Sequence, residues 1–475
     1  MAAIIQRRAV PGRGERRAPG EIETEGLGLI AADMGHQCWG MPNLEGSPRR
    51  PVRRRRREGS SPVTRKGLLF LSPIMPDEQG NGLAMRAGLA LRALSRRFDV
   101  HLGLVPVAGG PQTPSLLAQR AAATIRSLPL AEHLDPYYGL IERILDQEER
   151  RRARIAYPKP YLSRFCTSQS ASIVAEWCRA QEIAAVHVVR LYLAPLVRSQ
   201  DGSFRILDLD EDEATTHRRI ADLHSNAGST ELGEAEEAEA GKYPTLLAQS
   251  LGRFHRVLVS SPLEAERVRQ RVPEAAITIV PNAAPPAGKP ARVDGKPGRP
   301  LRLVFIGNLD YAPNEDAVLY LCREILPRLR AASGRPVTAS VAGAGASAAL
   351  VATTAAADVH LLGPVDDLGP LYAEADMAVV PLRAGGGTRI KILEAFASQT
   401  PVVATPLAIE GIAAKGGVHA LIVDGPDEFV HACLALAEDP ERARGMAARA
   451  LRLVDDLYRA DRVEAALLAV YNASE

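Results

Sequence analysis

The chain has 475 residues, 46% hydrophobic and 24% charged, with a formal net charge of +2. That length is too great for one ordinary core and predicts two or three globular domains, while no apolar run reaches the roughly 18–20 residues of a membrane span. Residues 1–66 hold fourteen Arg and Lys against seven Asp and Glu, a net +7 that leaves −5 for the rest, which excludes a nucleic-acid footprint.

Those 66 residues are rich in Gly, Pro and Arg, with "RRPVRRRRREGSS" at 49–61 and no apolar periodicity. They cannot bury enough surface to offset their ordering entropy and read as a disordered basic extension. It is either a tail suited to peripheral contact with an acidic membrane surface or polymer, or sequence upstream of a later start. The apolar core of a signal peptide is missing from it. Cys38, Cys166, Cys178, Cys322 and Cys433 are scattered without a CxxC pair, which points to reduced thiols in the cytoplasm, with neither disulfides nor a zinc site.

Folded sequence begins at residue 67. The continuous apolar run Leu68–Leu71 predicts a buried parallel strand, followed by a loop with Gly80 and Gly82. An amphipathic helix with Leu83, Ala87, Ala90, Leu91 and Leu94 on one face comes next, with Arg86 one turn in. The strand Val100–Val105 completes a βαβ unit. Further strands are expected at 184–189, ending in a His187 near the mouth of a cleft, at 204–210 and at 256–261.

Asp208-Leu209-Asp210 forms a DxD, the pattern that holds a divalent metal on a nucleotide diphosphate in single-domain GT-A transferases. The competing reading is a strand-end carboxylate lining a cleft. His187 reads either as a satisfied core histidine or as a polar group near substrate. The acidic stretch 231–239 reads as a solvated face.

The Pro/Gly-rich stretch 281–300 supports neither helix nor strand and reads as an interdomain linker. The α/β grammar then restarts, with strands expected at 301–307, 337–343, 359–363, 377–382, 401–405 and 420–425. Gly385, Gly386, Gly387 and Thr388 fall between the end of one strand and a helix beginning "TRIKILEAFA". Free N–H groups and the helix dipole make such a junction an anion site, and glycine lets a phosphate approach the backbone. Arg389 and Lys391 add donors for a diphosphate. Glu394, one turn in, is placed to accept bonds from ribose hydroxyls.

"GPVDDLGPLYAEADMAVVPLRAGGGTRIKILEAFASQTPVVAT", together with "FIGNLDYAPNEDAVLYLCREILPRL", "VPNAAP" and "GNGLAMR" in the same order, resembles glycosyltransferase family four over about residues 67–470. Its nearest likeness is to bacterial enzymes of exopolysaccharide and PEP-CTERM systems. The resemblance implies an α/β GT-B fold, two doubly wound Rossmann-like domains facing across a cleft. It implies an acceptor domain at 67–285, a linker at 286–300, a nucleotide-sugar domain at 301–460 and a C-terminal helix, 461–475, returning to the first domain. The implied reaction moves a sugar from a nucleotide-diphosphate sugar to a glycan or lipid-linked acceptor, with retained anomeric configuration and no metal or other cofactor. It would take place in the cytoplasm, with the inner face of the membrane as an allowed site.

By the same resemblance Glu394 is the second glutamate of a Glu-(seven residues)-Glu motif, and the first falls on Gly386. Asn308 and Asn314 stand where many relatives carry Arg and Lys, so Arg389 and Lys391 become the catalytic cations. Gly307 keeps the turn beside the donor, and the loop Gly363–Asp367, with Val365, lies by the nucleobase. Gly80, Gly82, Arg86, His187 and Asp208 fall on the acceptor side. Three rivals stand beside this reading: a nucleotide-sugar epimerase of the same fold, a metal-dependent GT-A enzyme using Asp208 and Asp210, and a nonenzymatic sugar-nucleotide sensor.

Overall fold

The computed structural model describes residues 65–198, 203–286 and 299–472. The basic extension up to residue 64, most of the linker and residues 473–475 lie outside the described residues. The four described cysteines, Cys166, Cys178, Cys322 and Cys433, are free thiols.

Two parallel sheets organise the chain. The first contains β1 (Gly67–Ser72), β2 (Asp99–Leu104), β3 (Ala122–Ser127), β4 (Ile183–Val189), β5 (Phe204–Asp210), β6 (Arg256–Val259) and β7 (Ile277–Ile279), in the order β3-β2-β1-β4-β5-β6-β7. The second contains β8 (Leu301–Ile306), β9 (Val337–Ala342), β10 (Val359–Gly363), β11 (Met377–Val380), β12 (Val402–Ala404) and β13 (Leu421–Ile422), in the order β10-β9-β8-β11-β12-β13. Central strands such as β1 are apolar on both faces because helices cover both sides. Around the first sheet, Leu69, Leu71, Val186 and Leu207 pack on one face, and Leu68, Phe70, Ala185 and Ile206 on the other. The second sheet builds its own core around Phe305, Val341, Val379 and Phe396.

The strand orders position the site. In each sheet the order reverses once, between β1 and β4 and between β8 and β11. Loops leaving the carboxyl ends of the strands at such a reversal splay apart and leave a crevice for ligand. The Gly80–Gly82 loop follows β1, the Gly307 turn follows β8, and the glycine triplet follows β11.

Helix α1 (Gly82–Leu94) is capped by Asn81, whose side chain accepts from the Ala84 N–H at 2.9 Å. Helix α2 (Glu213–Asn226) follows β5 and packs against α3 (Thr230–Leu251). Glu236 and Glu239 of α3 are buried, which corrects the expectation of a wholly solvated face over 231–239. Glu236 meets His217 of α2 at 2.6 Å and Glu239 accepts from Lys242 at 3.0 Å, so the charge is matched internally. Helix α4 (Ile390–Ala397) follows the glycine triplet. The last helix, α5 (Ala460–Asn472), lies against α1, with Val463, Leu467, Val470 and Tyr471 in the core that holds Leu68 and Leu91. No helix of the described residues is long and apolar enough to cross a membrane.

Candidate active site

The glycine triplet divides its work. Gly385 (φ +103°) and Gly387 (φ +67°) occupy the left-handed region that disfavours any side chain. Gly386 does not, and space explains it: a Cβ there would overlap Thr216 Oγ1 and stand 2.6 Å from Glu211 Oε2, both of the first domain. The position that the resemblance gives to a first glutamate therefore has no room for one.

Helix α4 begins at Ile390, two residues later than "TRIK" suggests, and Arg389 is its N-cap residue. Arg389 is 8% exposed, and its Nη1 donates to the carbonyls of Gly386 and Gly387. This corrects the expectation of an arm free to reach a diphosphate, because one nitrogen of the guanidinium braces the loop. Its Nη2 and the Thr388 hydroxyl are buried with no partner among the described residues. Buried donors without partners are costly and mark where a ligand oxygen would be accepted. Burial lowers Arg389 from its ordinary pKa, opposed by Tyr311, Glu211 and Glu410.

Lys391 sits where Gly307 lacks a side chain, its Nζ just 2.5 Å from the place of a Gly307 Cβ. It donates to Asn314 Oδ1 at 2.6 Å and lies 4.2 Å from the centre of the Phe305 ring. Asn314 Nδ2 in turn donates to the Asn308 carbonyl at 2.7 Å, tying the turn after β8 to α4. Burial first, then the Arg389 charge, bring Lys391 down to about 7, with Glu394 opposing. Glu394 is raised by burial, opposed by Tyr372 and Lys391, and its Oε2 is 3.2 Å from the Tyr372 hydroxyl. Val365, in the loop after Gly363 (φ +69°), is half-exposed.

The first domain closes onto this loop. Gly82, at the start of α1, faces Ile390 at the start of α4, since a Cβ on Gly82 would be 3.0 Å from Ile390 Cδ1. Two helix N-termini thus meet across the crevice, while Gly80 (φ +104°) faces open space. Arg219 of α2 donates to the Gly385 carbonyl at 3.1 Å and pairs with Glu410 at 2.6 Å, and Arg267 also pairs with Glu410. Neither arginine stood out in the sequence, because charges on helix faces carry no mark of what lies opposite.

Arg86, His187 and Asp208, expected along the acceptor side, instead form a buried network. Arg86 is 6% exposed and donates to both Asp208 oxygens, to the Val280 carbonyl at 3.1 Å and to Asn282 at 2.9 Å. Asp210 lies 3.7 Å from the same guanidinium. The DxD is thereby committed to arginine, and no group of three or more His, Cys, Asp or Glu able to hold a metal occurs among the described residues. Burial would raise Asp208, but the Arg86 charge holds it well below the usual carboxylate range. His187 is fully buried, its Nδ1 2.9 Å from the Tyr471 hydroxyl and its ring stacked on Phe70 at 5.0 Å. It lies between α5 and the sheet, and its Nε2, 3.8 Å from Asp208, has no hydrogen-bond partner among the described residues.

Arg190, missed by sequence reasoning, and Asp210 of the DxD flank this network. Arg190 (φ +74°) and Asp210 (φ +63°) hold strained conformations at the ends of β4 and β5. Arg190 pairs with Glu211 at 2.7 Å and with Asp210 at 3.4 Å. Glu213 beside them is pushed up to about 8 by burial, against the Arg190 charge. "VVR" closing a strand and "DEDE" closing its neighbour were the available signals.

A family model described as glycosyl transferases group 1 matches residues 300–439. Solved structures share the arrangement of both sheets. The sucrose-phosphate synthase of Thermosynechococcus elongatus superposes with a TM-score of 0.61 at 13% identity, covering 86% of this chain and 99% of that one. The Anabaena Alr3699/HepE protein, solved with UDP and glucose, gives a TM-score of 0.55 at 12% identity, covering 86% and 100%. A glycosyltransferase of Rickettsia africae gives 0.51 at 10%, covering 86% and 99%. No curated protein sequence matches significantly. Identities this low speak for the fold, and the second sheet rules out a single-domain GT-A enzyme. Residues 300–439 thus match the group 1 glycosyltransferase model, and the chain as a whole has the two-sheet GT-B fold of these structures.

Proposed function

We propose that the protein transfers a sugar from a nucleotide-diphosphate sugar to a glycan or lipid-linked acceptor, with retained anomeric configuration, in extracellular polysaccharide or cell-surface glycan synthesis. In this reading residues 67–285 hold the acceptor, 301–460 hold the donor, and the chain works in the cytoplasm or at the inner membrane face. The observation that carries it is the cluster at the reversal of the second sheet. There Thr388 and Arg389, whose hydroxyl and Nη2 are buried without partners among the described residues, and Lys391 follow one another at the α4 N-terminus. Donor complexes of a similar fold, with UDP-glucose in Anabaena Alr3699/HepE, support a nucleotide-sugar donor.

During transfer the bond from the anomeric carbon to the phosphate oxygen breaks, and its electron pair leaves with the diphosphate. The acceptor oxygen bonds to that carbon, and its proton departs with the leaving group. Lys391 and the helix-end amides stabilise the charge gathering on the diphosphate, while Glu394 accepts from the ribose. Closure of the two domains excludes water that would hydrolyse the donor.

A thermal-shift panel of UDP-, GDP-, ADP- and dTDP-sugars tests the reading. One nucleotide sugar is expected to raise the melting temperature by mass action. A panel with no shift, or donor turnover that no acceptor increases, contradicts it, the latter in favour of an epimerase.

A further inference from the structure

We infer that Glu211, at the end of β5 in the first domain, is the carboxylate that contacts the donor sugar, reaching over the glycine loop of the second domain. The inference rests on the donor reading above. Its starting point is the volume over Gly386, which Thr216 and Glu211 share, and over Gly387, which Glu211 occupies. Glu211 Oε2 would be 2.6 Å from a Cβ on Gly386 and 2.9 Å from one on Gly387. Since Gly386 has an ordinary backbone conformation, its lack of a side chain serves the groups that face it.

Glu211 is built to stay charged and aimed. Arg190 holds Oε1 at 2.7 Å, and Thr216 Oγ1 lies 3.2 Å from Oε2. Arg190, fixed at the end of β4 and shared with Asp210, keeps the carboxylate from swinging away. Burial would raise Glu211, yet Arg190, Arg389 and Thr216 hold it below its ordinary value. With 14% of its side chain exposed, the group is largely covered but not sealed from solvent.

A carboxylate here repels phosphate, so its partner has to be a hydrogen-bond donor without negative charge. The diphosphate is claimed by α4 and Lys391, and the ribose by Glu394 one turn further in. The sugar hydroxyls are the remaining donors of the proposed substrate, and an ionised carboxylate accepts them strongly. Because Glu211 belongs to the first domain and the glycine loop to the second, the contact forms when the domains meet. Sugar recognition is thereby coupled to closure, which Arg219 and Arg267 on Glu410 support from the side.

The test compares a nucleotide sugar with its own nucleoside diphosphate, using the panel member that most stabilises the wild type. Calorimetry on Glu211→Gln is expected to show nucleotide-sugar affinity weaker by roughly 10- to 100-fold, the worth of hydrogen bonds to a charged group. Nucleoside-diphosphate affinity should stay within about twofold of wild type. Glu211→Asp, which keeps the charge for Arg190 but withdraws the carboxylate, should show the same split if the glutamine variant folds poorly. Equal weakening of both ligands would make Glu211 a structural brace, and no weakening of either would remove it from the site. Each of those outcomes overturns the inference while the donor reading stands. A wild type that binds no panel member overturns the donor reading itself.

Discussion

Replacing Arg86 by alanine is expected to destabilise the first domain by about 3–5 kcal/mol, the cost of leaving a buried ion pair with one partner. The guanidinium is 6% exposed and donates to Asp208, Val280 and Asn282, with Asp210 3.7 Å away. Without it, two buried carboxylates at the end of β5 face each other with Arg190 as the remaining nearby cation. A fall of roughly 10 °C in the melting temperature corresponds to that loss. The pH dependence gives the cause away. In the wild type Asp208 is held low, so its stabilisation is present above the ordinary carboxylate pKa and lost as pH falls through its depressed one. In the variant the orphaned carboxylates bind protons more readily than in the unfolded chain, so the deficit should shrink as pH falls below about 5. A deficit independent of pH would point to lost packing instead.

Lys391→Ala is expected to lower transfer by about 10²–10³-fold, as the loss of one preorganised donor at a developing anion does elsewhere. The unliganded lysine sits at about 7, well below its ordinary value, because it is buried beside Arg389. That depression costs stability fully below pH 7, and the cost is relieved as pH rises toward the ordinary lysine value of about 10.4. A bound diphosphate reverses the shift by supplying negative charge. Binding at pH 8 should therefore take up close to one proton, and binding at pH 6 very little. Calorimetry in buffers of different ionisation enthalpy reads this directly, and the alanine variant should show no such uptake.

The parts of the fold legible in the sequence are those written as unbroken apolar runs. Leu68–Leu71, Leu303–Ile306 and Met377–Val380 lie in central strands, and burial on both sides admits little else. The edge strands β3 and β7 escaped notice because they are largely half-buried or exposed and carry mixed residues. The glycine triplet was legible as a strand–helix junction, yet the reason for its middle glycine was not. Gly386 answers to Thr216 and Glu211, 170 and more residues earlier, and local spacing says nothing of what another domain brings. Glu211 was hidden in "LDLDEDE", where alternate acids looked like a metal pattern, although Arg86 and Arg190 had already divided them. His187, for which a core and a substrate reading both stood open, is buried with Nδ1 on the Tyr471 hydroxyl, while Nε2 has no hydrogen-bond partner among the described residues and lies 3.8 Å from Asp208.

In the proposed function the loop after β11 and the start of α4 hold a nucleoside diphosphate. Calorimetric titration of that nucleotide into the wild type, Lys391→Ala and Glu394→Ala measures it most directly. Both variants are expected to bind at least about tenfold more weakly while melting near the wild-type temperature, Lys391→Ala through the diphosphate and Glu394→Ala through the ribose. Unchanged affinity in both variants would contradict the account.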